Sequence, residues 1–146
     1  MKVTTKGRYG LRVMMELAEK YGKGPILAET IATDQGISSN YIHVIVNNLK
    51  SKGFVRTSRG PSGGYELMRD PSTITALDVV TALEGPTFPV ECVVNTTTCG
   101  RSGCCATRDL WCEVAAAVDS VLGSCTLKEL SAKQSEKQRS HGSYEI

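Results

Sequence analysis

Apolar residues return at three- and four-residue spacing over residues 8–21, where Gly10, Val13, Met14, Leu17, Ala18 and Tyr21 share one face. Arg8, Arg12, Glu16 and Lys20 fall on another face, and Gly22 closes the run, so the pattern predicts a helix. After Pro25 a shorter helix is predicted over 27–34, with Leu27, Ile31 and Ala32 inward. Gln35-Gly36-Ile37-Ser38 then supplies a glycine turn, an apolar plug and an N-cap. A third helix follows over 39–52, its stripe made by Tyr41, Ile42, Ile45 and Leu49. Ser38, Ser39, Asn40, His43 and Asn47 lie outside that stripe, mostly at its start. A short helix, a glycine turn and a helix that opens on polar, base-sized side chains read as a helix-turn-helix.

From Gly53 the period shortens. Residues 54–58 and 64–68 are extended runs, and Arg59-Gly60-Pro61-Ser62-Gly63 between them is turn chemistry, which predicts a β-hairpin with Arg59 at its tip. A positive side chain on a narrow hairpin is shaped for a DNA minor groove. Thr75 caps a helix over 75–84 that Gly85-Pro86 stops. Thr107 is expected to cap a longer one over 107–122, striped by Leu110, Trp111, Val114, Val118, Val121 and Leu122. Thr126-Leu127-Lys128-Glu129 is a capping box for a last helix over 126–134. The fold expected is mainly α with one small hairpin, a winged helix-turn-helix plus a long dimerisation helix. Residues 1–84 form the DNA-binding domain, 85–106 a cysteine-rich loop, 107–134 the dimerisation helices and 135–146 a polar, disordered tail.

Five of the six cysteines fall within Glu91–Cys112. Between Cys92 and Cys105 the residues are mostly Gly, Ser, Thr, Asn and Arg, which can neither form an amphipathic helix nor bury a strand face. Such a loop can bring soft ligands together on a metal or an iron–sulfur cluster. Zinc suits the same sulfurs, and spacing alone does not separate the two. A third reading is a thiol switch at Cys104-Cys105 or Cys92 and Cys99.

Charge sharpens the picture. Residues 1–70 carry 11 Lys/Arg against 6 Asp/Glu, +5, and residues 71–146 carry 6 against 9, −3. A basic front half points to a polyanionic partner. No apolar run approaches a membrane span, and the N-terminus has no signal-peptide core, so a cytoplasmic protein is expected, with cysteines that serve as ligands or switches and not as disulfides. No nucleophile–base pair is evident, which argues against an enzyme.

Four motifs in order carry a resemblance: T-T-K-G-R-Y-G at the start, G-I-S-S-N-Y-I in the third helix, R-G-P-S-G-G-Y in the hairpin, and the cysteine loop running into Leu110-Trp111. Over about residues 1–134 the chain resembles the Rrf2 family of bacterial winged-helix transcription regulators, within it the iron–sulfur cluster regulator branch. The resemblance implies a homodimer on double-stranded promoter DNA and a cluster on the loop, [2Fe–2S] in preference to [4Fe–4S]. It places the ligands at Cys92, Cys99 and Cys105, base contacts at Ser38, Asn40 and His43, and Arg59 in the minor groove. The residues themselves add Ser39 at the helix start and Gly60 beside Arg59 as DNA contacts, and Lys2, Lys6, Arg8 and Arg12 around the first helix as phosphate contacts. The first cysteine gap is one residue longer than in the best-known cluster sensors. Where that branch has a fourth, histidine ligand, this chain has Arg108, which stays protonated and cannot ligate. The fourth ligand is left among Cys104, Cys112, an external thiol, Glu91 and Asp109. His43 stands where the cluster-biogenesis regulator has glutamate, which implies a different operator.

Overall fold

The computed structural model describes residues 2–142. Its helices are α1 (Thr5–Glu19), α2 (Ala28–Gln35), α3 (Ser39–Ser51), α4 (Ala76–Glu84), α5 (Ala106–Gly123) and α6 (Leu127–Gly142). Strands β1 (Val55–Ser58) and β2 (Gly64–Leu67) pair antiparallel, Val55 opposite Leu67 and Ser58 opposite Gly64. The architecture is the expected one, mainly helical with a single hairpin.

The core is built where the stripes converge. Val13, Met14 and Leu17 of α1 meet Ile31 of α2, Ile42, Ile45, Val46 and Leu49 of α3, and Val79 and Leu83 of α4, all buried. Gly7 and Gly10 explain the glycines of the opening motif. A Cβ on Gly7 would lie 2.4 Å from Glu84 Oε1, and one on Gly10 would lie 2.0 Å from a methyl of Leu83. Only a glycine face lets α4 lie this close on α1.

Three expectations need correction. Leu27 is 45% exposed, not inward. It is the N-cap of α2, and the inward place goes to Ile26, whose backbone bridges Tyr65. Thr107 does not cap α5, because the helix opens at Ala106 and Cys105 is the N-cap residue. The chain from 135 is helical as far as Gly142, where a disordered tail was expected. Leu127 is fully buried, Leu130 packs against the core, and the Thr126–Glu129 capping box is present, so α6 is nucleated firmly. The Glu, Lys, Gln and Arg that follow are strong helix formers and extend it without burial. Residues 143–146 of that expected tail lie outside the described residues.

Inside the core, one carboxyl is out of place. Glu16 is 5% exposed, and burial pushes its pKa up to about 7. Above that pH the folded chain must hold the ionised group in a dry site, whereas the unfolded chain ionises it freely near the ordinary glutamate value of 4.5. As pH falls through 7 the folded state takes up the proton first, so this group's contribution to stability improves between about pH 8 and pH 5, by up to roughly 3 kcal/mol. Glu16→Gln is therefore expected to melt higher than the parent at about pH 8 and to lose most of the gap near pH 5. Parallel melting curves across that range check it, and a constant gap would place the cost outside Glu16 ionisation.

Candidate DNA interface and cysteine loop

The helix-turn-helix is set by local chemistry. Gly36 adopts the left-handed conformation (φ 65°) that ends α2, and Ser38 accepts from the Tyr41 backbone N–H at 3.2 Å to start α3. With Ile42, Ile45, Val46 and Leu49 buried, the opposite face is left to solvent, and Ser38, Asn40, His43 and Asn47 are exposed on it, with Ser39 half-buried. The hairpin stands beside this face. Lys50 of α3 donates to Thr57 Oγ1 of β1 at 3.1 Å, and Arg56 pairs with Glu66 across the strands at 2.8 Å. Arg59 and Gly60 are exposed in the turn, Gly60 with φ 102°.

Sequence reasoning missed the partner of His43. Its Nδ1 hydrogen-bonds the Tyr65 hydroxyl of β2, and the rings meet edge-on with centroids 5.8 Å apart. This contact fixes the orientation of the ring and leaves Nε2 without a role in it. The G-G-Y of the hairpin motif was the available signal.

At the front of α1, Lys2 and Arg8 are exposed and Lys6 is half-buried. Arg12 is committed elsewhere: its guanidinium donates to the Gln35 side chain at 3.2 Å and to the Gln35 carbonyl. The α1 N-terminus is held by an acid far along the chain. Glu84, the last residue of α4, accepts through Oε1 from the backbone N–H groups of Thr4 and Gly7, both at 2.9 Å, and from the Thr4 hydroxyl. These bonds, the Thr4 hydroxyl first, hold its carboxyl below the usual range.

Gly85 ends α4 and the cysteine loop begins. Its interior contains single-turn 3-10 helices at Glu91–Val93 and Thr96–Thr98, the second opened by Asn95, which accepts from the Thr97 N–H at 3.1 Å. Two bonds fasten the loop to α5. Thr87 donates to Asp119, and Arg108 Nε donates to the Cys92 carbonyl at 2.9 Å. Arg108, at the place of the missing histidine ligand, thus holds the turn that carries the first cysteine.

All six cysteines are free thiols, with Cys99 and Cys104 exposed and Cys92, Cys105, Cys112 and Cys125 half-buried. Cys105 Sγ lies 3.1 Å from the Thr107 hydroxyl, and this bond, with help from backbone N–H groups at the helix start, lowers the thiol pKa. The donor set is right in kind for a cluster, since four accessible sulfurs share one loop. Their arrangement is not preformed: among the described residues, no three His, Cys, Asp or Glu side chains are grouped to hold a metal ion. Cys92, Cys99 and Cys105 are therefore not brought together here, and neither Glu91 nor Asp109 completes a set with them.

The outer face of α5 is uncovered in the single chain. Only Ala115 is buried, and Leu110, Trp111, Val114 and Val121 are exposed. No helix among the described residues is long and apolar enough to cross a membrane.

An exposed recognition face, a basic hairpin beside it and a helical back half define a winged helix-turn-helix regulator. The profile of the Rrf2 family, described as an iron-dependent transcriptional regulator, matches residues 3–133, and the chain belongs to that family. It is 40% identical over 144 residues to the HTH-type transcriptional regulator CymR of Bacillus subtilis (strain 168), covering 99% of each. The structure of CymR (YrzC), the global cysteine regulator of B. subtilis, superposes with a TM-score of 0.79 at 41% identity, covering 91% of this chain and 98% of that one. T. potens IscR superposes with a TM-score of 0.76 at 33% identity, covering 94% and 91%. The protein is a DNA-binding transcription regulator and not an enzyme.

Proposed function

We propose that the chain acts as a homodimer on two-fold promoter sites and that its cysteine loop is the sensory segment, holding an iron–sulfur cluster on Cys92, Cys99 and Cys105. The observation that carries this reading is the position of the loop. It joins α4, packed on the DNA-binding half, to α5, whose apolar face is bare, and four of its thiols are accessible. Leu110, Trp111, Val114 and Val121 suit pairing with a second copy, which would present two recognition helices to successive major-groove faces. Ser38, Ser39, Asn40 and His43 read bases, Arg59 with Gly60 enters the minor groove, and Lys2, Lys6 and Arg8 contact phosphates.

A cluster, when bound, supplies iron- and redox-dependent ligation, [2Fe–2S] in preference to [4Fe–4S]. The chain's own part is to offer thiolates. Cys105 is favoured in that form by Thr107 and the α5 N-terminus. The same feature favours a second reading, a thiol switch without metal, because a lowered thiol pKa also makes a nucleophile. Anaerobic purification with iron, sulfide and zinc analysis beside a visible spectrum decides between them. Stoichiometric iron and sulfide support the cluster, zinc alone indicates a structural metal, and neither leaves the thiol switch.

The DNA half has its own test. Arg59→Ala is expected to weaken operator binding roughly tenfold or more at fixed salt, with dimerisation and cluster content unchanged. Unchanged affinity in a fluorescence anisotropy titration would remove the minor-groove role.

A further inference from the structure

The outward face of α3 holds one side chain that neither the core nor the base-reading set proposed above uses. Ile42, Ile45, Val46 and Leu49 turn inward and are fully buried. Val44 stands among them in sequence yet is 48% exposed. At 3.6 residues per turn, Ile42 and Val46, two positions to either side, lie on the far side of the helix from it. Asn40, four positions before, and Asn47, three positions after, are its neighbours on the outward face, and both are exposed.

The fold gives no reason for an apolar side chain there. A β-branched residue loses χ1 freedom in a helix, and at this exposure it recovers little by burial. Polar side chains that follow it are turned to the protein itself. Asn48 donates through Nδ2 to the Val44 carbonyl at 3.0 Å, and Lys50 donates to Thr57 Oγ1 of the hairpin at 3.1 Å. Val44 is thus left in the middle of the surface that α3 offers to DNA.

An isopropyl group has no donor or acceptor, and this decides which base it can face. In the major groove guanine presents two acceptors, adenine an acceptor and an amine, and cytosine an amine. Each of these would lose its water against a valine and gain no hydrogen bond in return. Thymine alone presents a methyl group.

We propose that Val44 is a specificity-determining residue, its γ-methyl groups packing on the C5-methyl of one thymine in each half-site. This role rests on the reading of α3 as the major-groove helix of a dimer, and adds to it a base recognised without hydrogen bonds.

The test starts from a duplex operator enriched by the full-length protein from a random-sequence pool. Each thymine, together with its two-fold mate, is replaced in turn by deoxyuridine, which keeps the base pair and removes only the C5-methyl. Fluorescence anisotropy then gives the affinities of the parent and of Val44→Ala, in the same cluster state and at one salt concentration. Burial of one methyl group corresponds to roughly fourfold in affinity, so at one thymine position the parent should lose about that factor per half-site. At the same position Val44→Ala should lose less than about twofold per half-site, because the contact is already gone. Its melting temperature and its affinity for an unrelated duplex should match the parent, since Val44 is exposed and alanine suits a helix. Indifference of the parent to every deoxyuridine, or an equal loss in Val44→Ala at each sensitive thymine, would overturn the proposal. Asn40→Ala and His43→Ala on the same operator separate the two ways of failing. If either lowers the preference for operator over the unrelated duplex while Val44→Ala does not, the valine contact alone falls. If all leave that preference unchanged, the reading of α3 falls with it.

Discussion

Cys99→Ala is expected to yield protein without bound iron or sulfide, and Cys92→Ala and Cys105→Ala are expected to do the same. In the proposed ligand set each supplies one sulfur, and the loop has no histidine to substitute for it. Ordering a flexible segment costs about 1 kcal/mol or more per residue, so a loop that loses a ligand loses the gain that offsets this cost. Cys125→Ala should retain the cluster in full, since Cys125 lies beyond the α5 C-terminus, with its sulfur near the Thr126 carbonyl. Cys112→Ala should retain it as well. Seven residues of helix separate Cys112 from Cys105, a rise of about 10 Å, too far for both to bind one cluster while α5 keeps its first turns. Iron and sulfide assays with a visible spectrum on each variant decide this, and colour persisting in Cys99→Ala would remove the ligand assignment.

The elements were legible because their signals are local. The apolar stripes of residues 8–21 and 39–52, the glycine turn before Ser38 and the turn residues around Arg59 each specify a backbone state within a few positions. What was not legible depends on partners distant in sequence. The α1 helix begins at Thr5, three residues before its stripe, because Glu84, 80 positions away from Thr4, satisfies its first N–H groups. Tyr65 read as a strand residue, and only the folded hairpin shows it orienting His43. Arg108 read as a lost ligand, whereas the fold uses it to hold the Cys92 carbonyl. The length of α6 was misjudged for a different reason. Polar composition marks a segment that cannot bury itself, but a helix already nucleated by Leu127 and the Thr126 box needs only good helix formers to continue.

Glu84→Ala is expected to separate sensing from binding. In the parent protein, cluster-loaded and cluster-free forms should differ in their relative affinity for two operators by roughly 5- to 150-fold, the usual span of coupling between sites. The physical connection runs through one carboxylate. Glu84 is followed directly by Gly85, where the cysteine loop starts, and the loop is fastened to α5 by Thr87 and Arg108. Its other end is the α1 N-terminus, whose first turn carries Lys6 and Arg8, with Lys2 just ahead. On the proposed mechanism, a loop ordered by ligation would constrain the end of α4, and through Glu84 the helix proposed to set the phosphate contacts. Alanine removes that carboxylate and leaves the Thr4 and Gly7 N–H groups without their acceptor. By comparison with helix N-cap losses, this costs about 0.5–2 kcal/mol and lowers the melting temperature by a few degrees. The variant should still fold, still carry its cluster and still bind operator DNA, but its two forms should rank the operators nearly alike. Titrating both forms of parent and variant against the same promoter fragments at one salt concentration measures the ratio directly. A ratio as large in Glu84→Ala as in the parent would mean that the signal leaves the loop by another route, with the α5 dimer face as the remaining connection.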